Sequence, residues 1–320
     1  SSQSRGLGDV YKRQDLDGYW QFLGRVDEDS RWFFHMPVEN NATEDSVEVK
    51  FLLNRAIGAK FDIEIDYIGF WDLRFAHADN YRKGLVFIAG DAAHAHPPYG
   101  GYGVNMGFED ARNLAWKLAA SLNGWGNDAL LNTYNDERHA VFSSTRDNFI
   151  SKMIKDDAAF LANYDPERDQ LDFEKAWAKR AKPQDEVMLY LPNYAGSSIV
   201  KGIGASGAVG KHCFEAKAGY HLAPAELNDG SNIYDFLGED FTLILDDKME
   251  NEAEEAQSAA HSLNIPLKVL RVSMSKEVKR WAATVILVRP DHFIAFAGQN
   301  KKASMYNILT MAIGHKRRVK

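Results

Sequence analysis

Residues 90–105 read GDAAHAHPPYGGYGVN and follow the apolar run Leu85-Val86-Phe87-Ile88-Ala89. A short apolar run closed by Gly-Asp predicts a strand that ends in a sharp turn, and the residues after Asn105 predict a helix. Three chemistries compete for a turn of this content. Asp91, His94 and His96 offer a metal triad; Gly100, Gly101 and Gly103 ahead of a helix offer a phosphate or cofactor cradle; the third reading is a structural turn capped by Asp91.

The metal reading is short of partners. His96 runs directly into Pro97-Pro98, and no His-x-His or His-Glu-x-x-His pair elsewhere in the chain accompanies it, whereas zinc and iron sites need several rigidly held ligands. No metal site is expected. The cofactor reading explains more residue types: a Gly-Asp pair places a carboxylate at a strand's C-terminal edge, where open α/β sheets bind ligands. Glycines without Cβ atoms let the backbone approach a flat ring, and a helix starting near Val104 and Asn105 aims free N–H groups and a positive dipole end at it.

Composition sets outer bounds. The chain has 320 residues, 45 acidic against 38 basic, so about two domains are expected and an extended nucleic-acid surface is not. Cys213 is the only cysteine, which excludes an internal disulfide, a Cys-x-x-Cys pair and a multi-cysteine zinc site. No apolar stretch reaches the ~20 residues of a membrane span, and no secretory leader opens the chain. The default location is the cytoplasm.

Residues 1–14, SSQSRGLGDVYKRQ, carry no hydrophobic period and resemble a non-native leader. YWQFLGRV and RWFFHMPV, separated by DEDS, predict a hairpin, TEDSVEVKFLLNRAIGA a helix, and FDIEIDYIGF a half-buried strand. After the turn, Phe108, Ala111, Leu114, Ala115, Leu118 and Ala119 recur at helical spacing and predict the buried face of a long helix. Residues 155–210 read as an irregular linker, and Gly202-Ile203-Gly204-Ala205-Ser206-Gly207 within them as a flexible connection, because no convincing helix follows. The last third alternates in the order β-α-β-β-β-α, which predicts a thioredoxin-like layer at 211–320. The fold class is α/β with a mixed α+β character.

The stretch YRKGLVFIAGDAAHAHPPYGGYGVNMGFEDARNLAWKLAA resembles the second flavin motif of the FAD-dependent aromatic hydroxylases, the single-component flavoprotein monooxygenases related to para-hydroxybenzoate and phenol hydroxylases. LLNTYNDERHAVF, with Tyr134 and Glu137-Arg138, is similar to a helix of that family, and LGEDFTLIL with VRPDHFIAF resembles the thioredoxin-like domain of its phenol and polyketide hydroxylase branch. That branch more often ends the last motif in Trp-Arg, where this chain has Phe296-Ala297.

The resemblance implies residues 15–154 as the C-terminal part of a FAD-binding and substrate domain, joined by 155–210 to a thioredoxin-like domain at 211–320. It implies FAD, reduced by NADPH or NADH, a flavin hydroperoxide, and hydroxylation of a small aromatic substrate by dioxygen. By matching positions, Asp91 would bind the ribityl chain, Val104 and Asn105 would present amides to the flavin O2 edge, and Pro97-Pro98 with Gly100-Gly101 would line the ring, with Gly90 and Gly103 in the same cofactor-binding turn. Trp20, Phe22, Trp32, Phe34, Phe70 and Trp71 are substrate-face candidates, with core packing as the blander role for most. His35, His77 and Tyr67 are candidates for a base, and none can be assigned. The family's opening Gly-x-Gly-x-x-Gly turn does not precede residue 90, so the chain is expected to be the C-terminal part of a longer hydroxylase. The contrasting expectation is a non-catalytic dimerisation module with a residual half-site.

Overall fold

The computed structural model describes residues 11–14, 20–39, 41–70, 74–98, 100–165, 168–180, 188–273, 275–299 and 304–315, with no side-chain description at 11–14 and 20–22. Two compact units result, one of residues 1–73 with 154–180, the other of 74–153 with 181–320. Each is described by itself.

In the first unit β1 (Tyr11–Gln14), β2 (Trp20–Arg25) and β3 (Trp32–His35) form an antiparallel sheet. The expected hairpin is present: Arg25 pairs with Trp32 and Leu23 with Phe34, and Asp27 Oδ1 closes the turn by accepting three backbone N–H groups, from Asp29, Ser30 and Arg31. Tyr11–Gln14, set aside above as leader, pairs with β2. The expected helix is α1 (Val49–Ile57), ended by Gly58 in the left-handed region at φ 79°.

The strand expected at 61–70 is absent; the segment is irregular, with Phe61, Ile65, Tyr67 and Phe70 exposed. Alternation gives a strand one apolar face, but a strand also needs a neighbour to accept its backbone bonds.

α4 (Ser151–Asn163) and α5 (Gln170–Lys179) occupy much of the stretch read as a linker. Phe160 packs edge-on against Phe173 and Trp177, and Arg180 covers Phe160 while pairing with Asp157.

The second unit is built on a sheet in the order β11-β10-β12-β13, from β10 (Phe241–Asp246), β11 (Leu267–Val272), β12 (Val285–Val288) and β13 (Ile294–Gly298). β10 runs parallel to β11, and β12 antiparallel to both of its neighbours. α6 (Glu250–Leu263) connects β10 to β11, and α7 (Met305–Ala312) follows β13, so the β-α-β-β-β-α order of the last third is present. FTLIL and VILV are continuous apolar runs because the sheet is covered on both faces. Phe241, Leu243, Leu245, Val285 and Leu287 pack with α6, α7, Trp116 and Trp125; Ile244, Ile286 and Val288 pack with Leu222, Ile233 and Trp281 on the other face.

α2 (Tyr102–Leu122) and α3 (Asp128–Thr145) pair beside this sheet. A π turn at 146–150 continues α3. The glycine motif at 202–207 is packed, not loose: a Cβ at Gly202 would lie 2.5 Å from the Ala195 carbonyl oxygen. β9 (Gly207–Val209) follows it and pairs with β8 (Tyr190–Asn193), so no helix stands behind the motif to receive a phosphate. Tyr194, Ile199 and Ala208 are buried alongside. Among the described residues, no helix is long and apolar enough to cross a membrane.

Candidate functional site

The turn is assembled from very short elements. β4 (Ala76–His77) pairs with β7 (His94–Ala95), and β5 (Arg82–Lys83) with β6 (Val86–Phe87). The apolar run thus contributes only a two-residue strand, and Leu85 and Val86 are 90% and 66% exposed.

A single 3-10 turn spans Gly90–Ala92, with Gly90 at φ 55° and its Cα against Gly107 of α2, where a Cβ on either residue would be within 3.8 Å of the other's Cα. The two glycines allow the turn to touch the helix backbone. The loop then closes through Gly100 and Gly101, left-handed at φ 66° and 70°, into the first residue of α2. Gly100 has no room for a side chain, since a Cβ would stand 2.5 Å from the Tyr102 ring. A Cβ at Gly101 meets nothing within 4 Å, so the surface there is open.

The sequence-derived residues fall into two groups. Gly90, Asp91, Gly100, Gly101, Gly103, Val104 and Asn105 are brought to the turn and the first turn of α2, which begins slightly earlier than expected, at Tyr102. Asp91 is exposed, and its carboxylate accepts no hydrogen bond among the described residues. Asn105 Nδ2 donates to the Gly101 carbonyl at 2.9 Å, tying the glycine loop to the helix; Val104 is 64% exposed. Pro97 is buried and Pro98 exposed.

Of the substrate-face candidates, Trp32 and Phe70 are exposed rather than core, Phe34 is half-buried, and Trp71 and the side chains of Trp20 and Phe22 lie outside the described residues. Among the base candidates, His35 and Tyr67 belong to the first unit and His77 to the second.

His94 does not stand free for a metal. Its Nε2 meets Asp110 Oδ2 at 2.7 Å, and its ring stacks on Phe142 with centroids 4.4 Å apart. Among the described residues no group of three or more His, Cys, Asp or Glu side chains could hold a metal ion.

Asp110, not singled out from the sequence, organises the turn. Fully buried, it accepts the Gly90 N–H at 2.9 Å, His94 Nε2, and Arg138 Nε at 2.6 Å. Burial pushes its carboxyl up, but the His94 hydrogen bond and the Arg138 charge outweigh that and hold it below the usual carboxylate value. Arg138 also donates to Tyr194 Oη at 3.1 Å and the Met106 carbonyl at 3.0 Å. Tyr134 Oη donates to the Ile88 carbonyl at 2.8 Å, and Asn135 Oδ1 accepts the Tyr81 N–H at 2.9 Å, so α3 clamps both sides of the turn.

The face of α2 is the opposite of the one expected. Phe108 is 68% exposed and Ala111, Ala115 and Ala119 are exposed, with Leu114 and Leu118 half-buried; Tyr102, Met106, Asp110, Asn113, Trp116, Lys117 and Ala120 are buried. Burial of a charged stripe is tolerable only when every charge is paired, and here it is. Lys117 Nζ donates to Asn113 Oδ1 at 2.7 Å and Glu137 Oε2 at 2.8 Å, Asn113 Nδ2 donates to Glu137 at 2.7 Å, and Trp116 Nε1 donates to Asp291 at 3.1 Å. The spacing of Asp110, Asn113 and Lys117 by three and four was the signal available for this second stripe.

Residues 23–148 match the model of the FAD binding domain family. The chain is 33% identical over 294 residues to a 4-methyl-5-nitrocatechol 5-monooxygenase of Burkholderia sp, covering 85% of this chain and 50% of that protein. It is 29% identical over 309 residues to a putative polyketide hydroxylase of Streptomyces halstedii, covering 86% and 52%. Among solved structures, the rebeccamycin biosynthetic enzyme RebC with reduced flavin superposes with a TM-score of 0.73 at 26% identity, over 92% of this chain and 56% of that one. The chain spans about half the length of the curated relatives it matches.

Proposed function

We propose, from the match of residues 23–148 to the model of the FAD binding domain family, that this chain supplies the ring-side part of the flavin site of a monooxygenase. Its substrate is a phenolic or other aromatic ring, and its reductant is NADPH or NADH. The observation that carries the reading is the pair of left-handed glycines, Gly100 and Gly101, opening onto the start of a 21-residue helix, with the exposed Asp91 in the preceding turn.

The residues present fit FAD. Asp91 accepts a ribityl hydroxyl. The open backbone at Gly101 admits the flat ring edge, and the first-turn N–H groups of α2 with its dipole favour negative charge at the O2 edge. Pro97, Pro98 and Gly100 line the ring and exclude water. FAD, when bound, supplies electron transfer and dioxygen activation; the chain orients it, and the Asp110 cluster keeps the turn from shifting.

The diphosphate end needs a second cradle, and the described residues offer no glycine turn ahead of a helix for it. In this reading that cradle belongs to the longer protein and covers the apolar surface of Phe108, Ala111, Ala115, Leu85 and Val86. No observation favours the non-catalytic module.

The test is FAD titration by flavin fluorescence of the 320-residue chain and of the same residues within the longer protein, followed by NAD(P)H oxidation with a panel of phenols. The extended protein is expected to bind FAD stoichiometrically and to oxidise NAD(P)H faster with substrate; the 320 residues alone are expected to bind it weakly. Absence of flavin from both overturns the reading. Tight binding by the 320 residues alone overturns the division of the site.

A further inference from the structure

Four buried side-chain atoms of the described residues have no hydrogen-bond partner: His77 Nε2, Tyr81 Oη, His94 Nδ1 and His96 Nε2. They belong to one cluster. His77 and His94 are cross-strand neighbours in the β4–β7 pair, and the Tyr81 ring lies 5.7 Å from His77 and 5.9 Å from His94. His77, His94 and His96 all pack against Phe142, at 4.6, 4.4 and 6.2 Å between centroids. Tyr81 and His94 are 0% and 2% exposed. Such orphaned atoms are rare in folded proteins, and four in one place call for a chemical reason.

The neighbour of His96 fixes its tautomer. His96 Nδ1 lies 2.6 Å from the Pro97 carbonyl oxygen, which can only accept, so Nδ1 carries the proton and Nε2 presents a lone pair. His94 Nε2 lies 2.7 Å from Asp110 Oδ2, so that nitrogen carries a proton toward the carboxylate. An atom at the Cβ position of Gly103 would stand 3.5 Å from His96 Nε2, which puts that lone pair against the first turn of α2, beneath the glycine loop.

Groups facing His96 come from several elements. Burial, the largest cause, holds His96 below its ordinary value of 6.5, with His94 acting the same way, while the Pro97 carbonyl and Asp91 on the turn favour the charged ring. Asp110 on α2 is taken up by His94 and Arg138. At the other end of the cluster, His139 on α3 stacks on His77 at 4.0 Å, and Arg146 adds positive charge beside His77.

Resting on the reading above, we propose that His96 is the proton-transfer residue of the cofactor turn, reached from solvent through water held between His77, Tyr81 and His94. Monooxygenation with a nicotinamide reductant balances as NAD(P)H + H⁺ + O₂ + R–H → NAD(P)⁺ + R–OH + H₂O. One proton per turnover therefore has to enter the closed site from solvent. A neutral imidazole with a buried lone pair takes the proton at Nε2 from a water chain replenished by solvent, becomes imidazolium, and gives the same proton up again from Nε2 toward the first turn of α2, while its Nδ1 proton stays hydrogen-bonded to the Pro97 carbonyl. The unpartnered polar atoms of His77, Tyr81 and His94 are the groups that would order such water.

The first arm needs no flavin: two-bond ¹⁵N–¹H NMR of the labelled 320-residue chain. His96 is expected as the Nδ1–H tautomer, titrating below 6.5. An Nε2–H tautomer, or titration at or above that value, overturns the proposal whatever FAD does. The second arm uses the extended, FAD-loaded protein. His96→Ala is expected to slow substrate-stimulated turnover by about 100-fold with FAD stoichiometry retained, and added imidazole to restore part of the rate. Full turnover in His96→Ala, or a loss that imidazole leaves unchanged, overturns the relay. Absence of FAD from the unsubstituted protein instead overturns the function proposed above, and the NMR result still decides the His96 assignment.

Discussion

Arg289, in the turn after β12, and Glu137, in the middle of α3, are joined by two parallel hydrogen bonds, Nη1 to Oε1 at 2.7 Å and Nη2 to Oε2 at 2.9 Å, with both side chains wholly buried. Arg289 also binds Asp291 through Nε at 2.9 Å and Nη2 at 2.5 Å, and Ser197 Oγ donates to Glu137 at 2.6 Å. Lys117 completes the cluster; burial, outweighing Glu137, pushes its ammonium down to about 8. The cluster ties α2 and α3 to the sheet's β12–β13 turn.

Removing one partner leaves an uncompensated buried charge. Glu137→Ala strips Lys117 of its carboxylate and leaves Arg289 with Asp291 alone, and should lower unfolding free energy by about 3–5 kcal/mol. Urea denaturation of the two chains checks this, and a change under 1 kcal/mol would falsify the view that the cluster holds the helices to the sheet.

Asp110→Ala should act on the turn itself. Arg138 loses its carboxylate, His94 its acceptor, and the Gly90 N–H its partner, with a cost of about 3–5 kcal/mol for the broken buried pair. Amide exchange at Gly90 and Ala93 should accelerate more than in the β10–β13 sheet. Uniform acceleration would assign the loss to general unfolding instead.

Asp91→Ala has the opposite signature. The carboxylate is exposed and accepts no hydrogen bond among the described residues, so the melting temperature should not move, while FAD binding by the extended protein weakens by about 1.5–3 kcal/mol, the contribution of one charge-assisted bond. Equal FAD affinity in the two proteins removes Asp91 from the site.

Acid should destabilise the fold in two steps. Burial, the largest cause in each case, holds His77, His221 and His292 at about 4 against an ordinary 6.5. Between those values the unfolded chain binds more protons than the folded one, so stability is present above 6.5 and falls as pH drops toward 4. Glu137, held down by Arg289 and Lys117 against the cost of burial, adds a second loss below its ordinary 4.5. Urea midpoints measured from pH 7 to 3.5 should fall through both windows, and His221→Phe should flatten the first. A midpoint independent of pH between 6.5 and 4.5 contradicts this.

Ala282 closes the 3-10 turn at Val278–Trp281 in the left-handed region, at φ 53°, and is exposed. Ala282→Gly should raise stability by about 0.5–1 kcal/mol, because glycine takes this conformation without the Cβ penalty. Thermal unfolding of the variant decides it; a lower melting temperature would mean that the methyl group contributes packing.

Much of the architecture was legible in the sequence because it is local. The hairpin at 20–35, α1 with its Gly58 stop, and β10, α6, β11, β12 and β13 each announce themselves through an apolar period and a punctuating residue. The sharp turn and the helix after it were legible through Gly90 and Gly100-Gly101, which take the left-handed region. Tertiary structure decided the rest. The period of α2 identified its apolar stripe, but which stripe is buried depended on Glu137, Arg289 and Asp291, the last 178 positions from Asn113, which neutralise the polar one. The alternation at 61–70 specified a face without specifying a strand to pair with, and Gly202–Gly207 matched a phosphate-binding pattern that packing against Ala195 turned into a structural bend. A side chain's polarity is written at its own position; whether a charge is affordable inside depends on partners that only the folded chain brings within 3 Å.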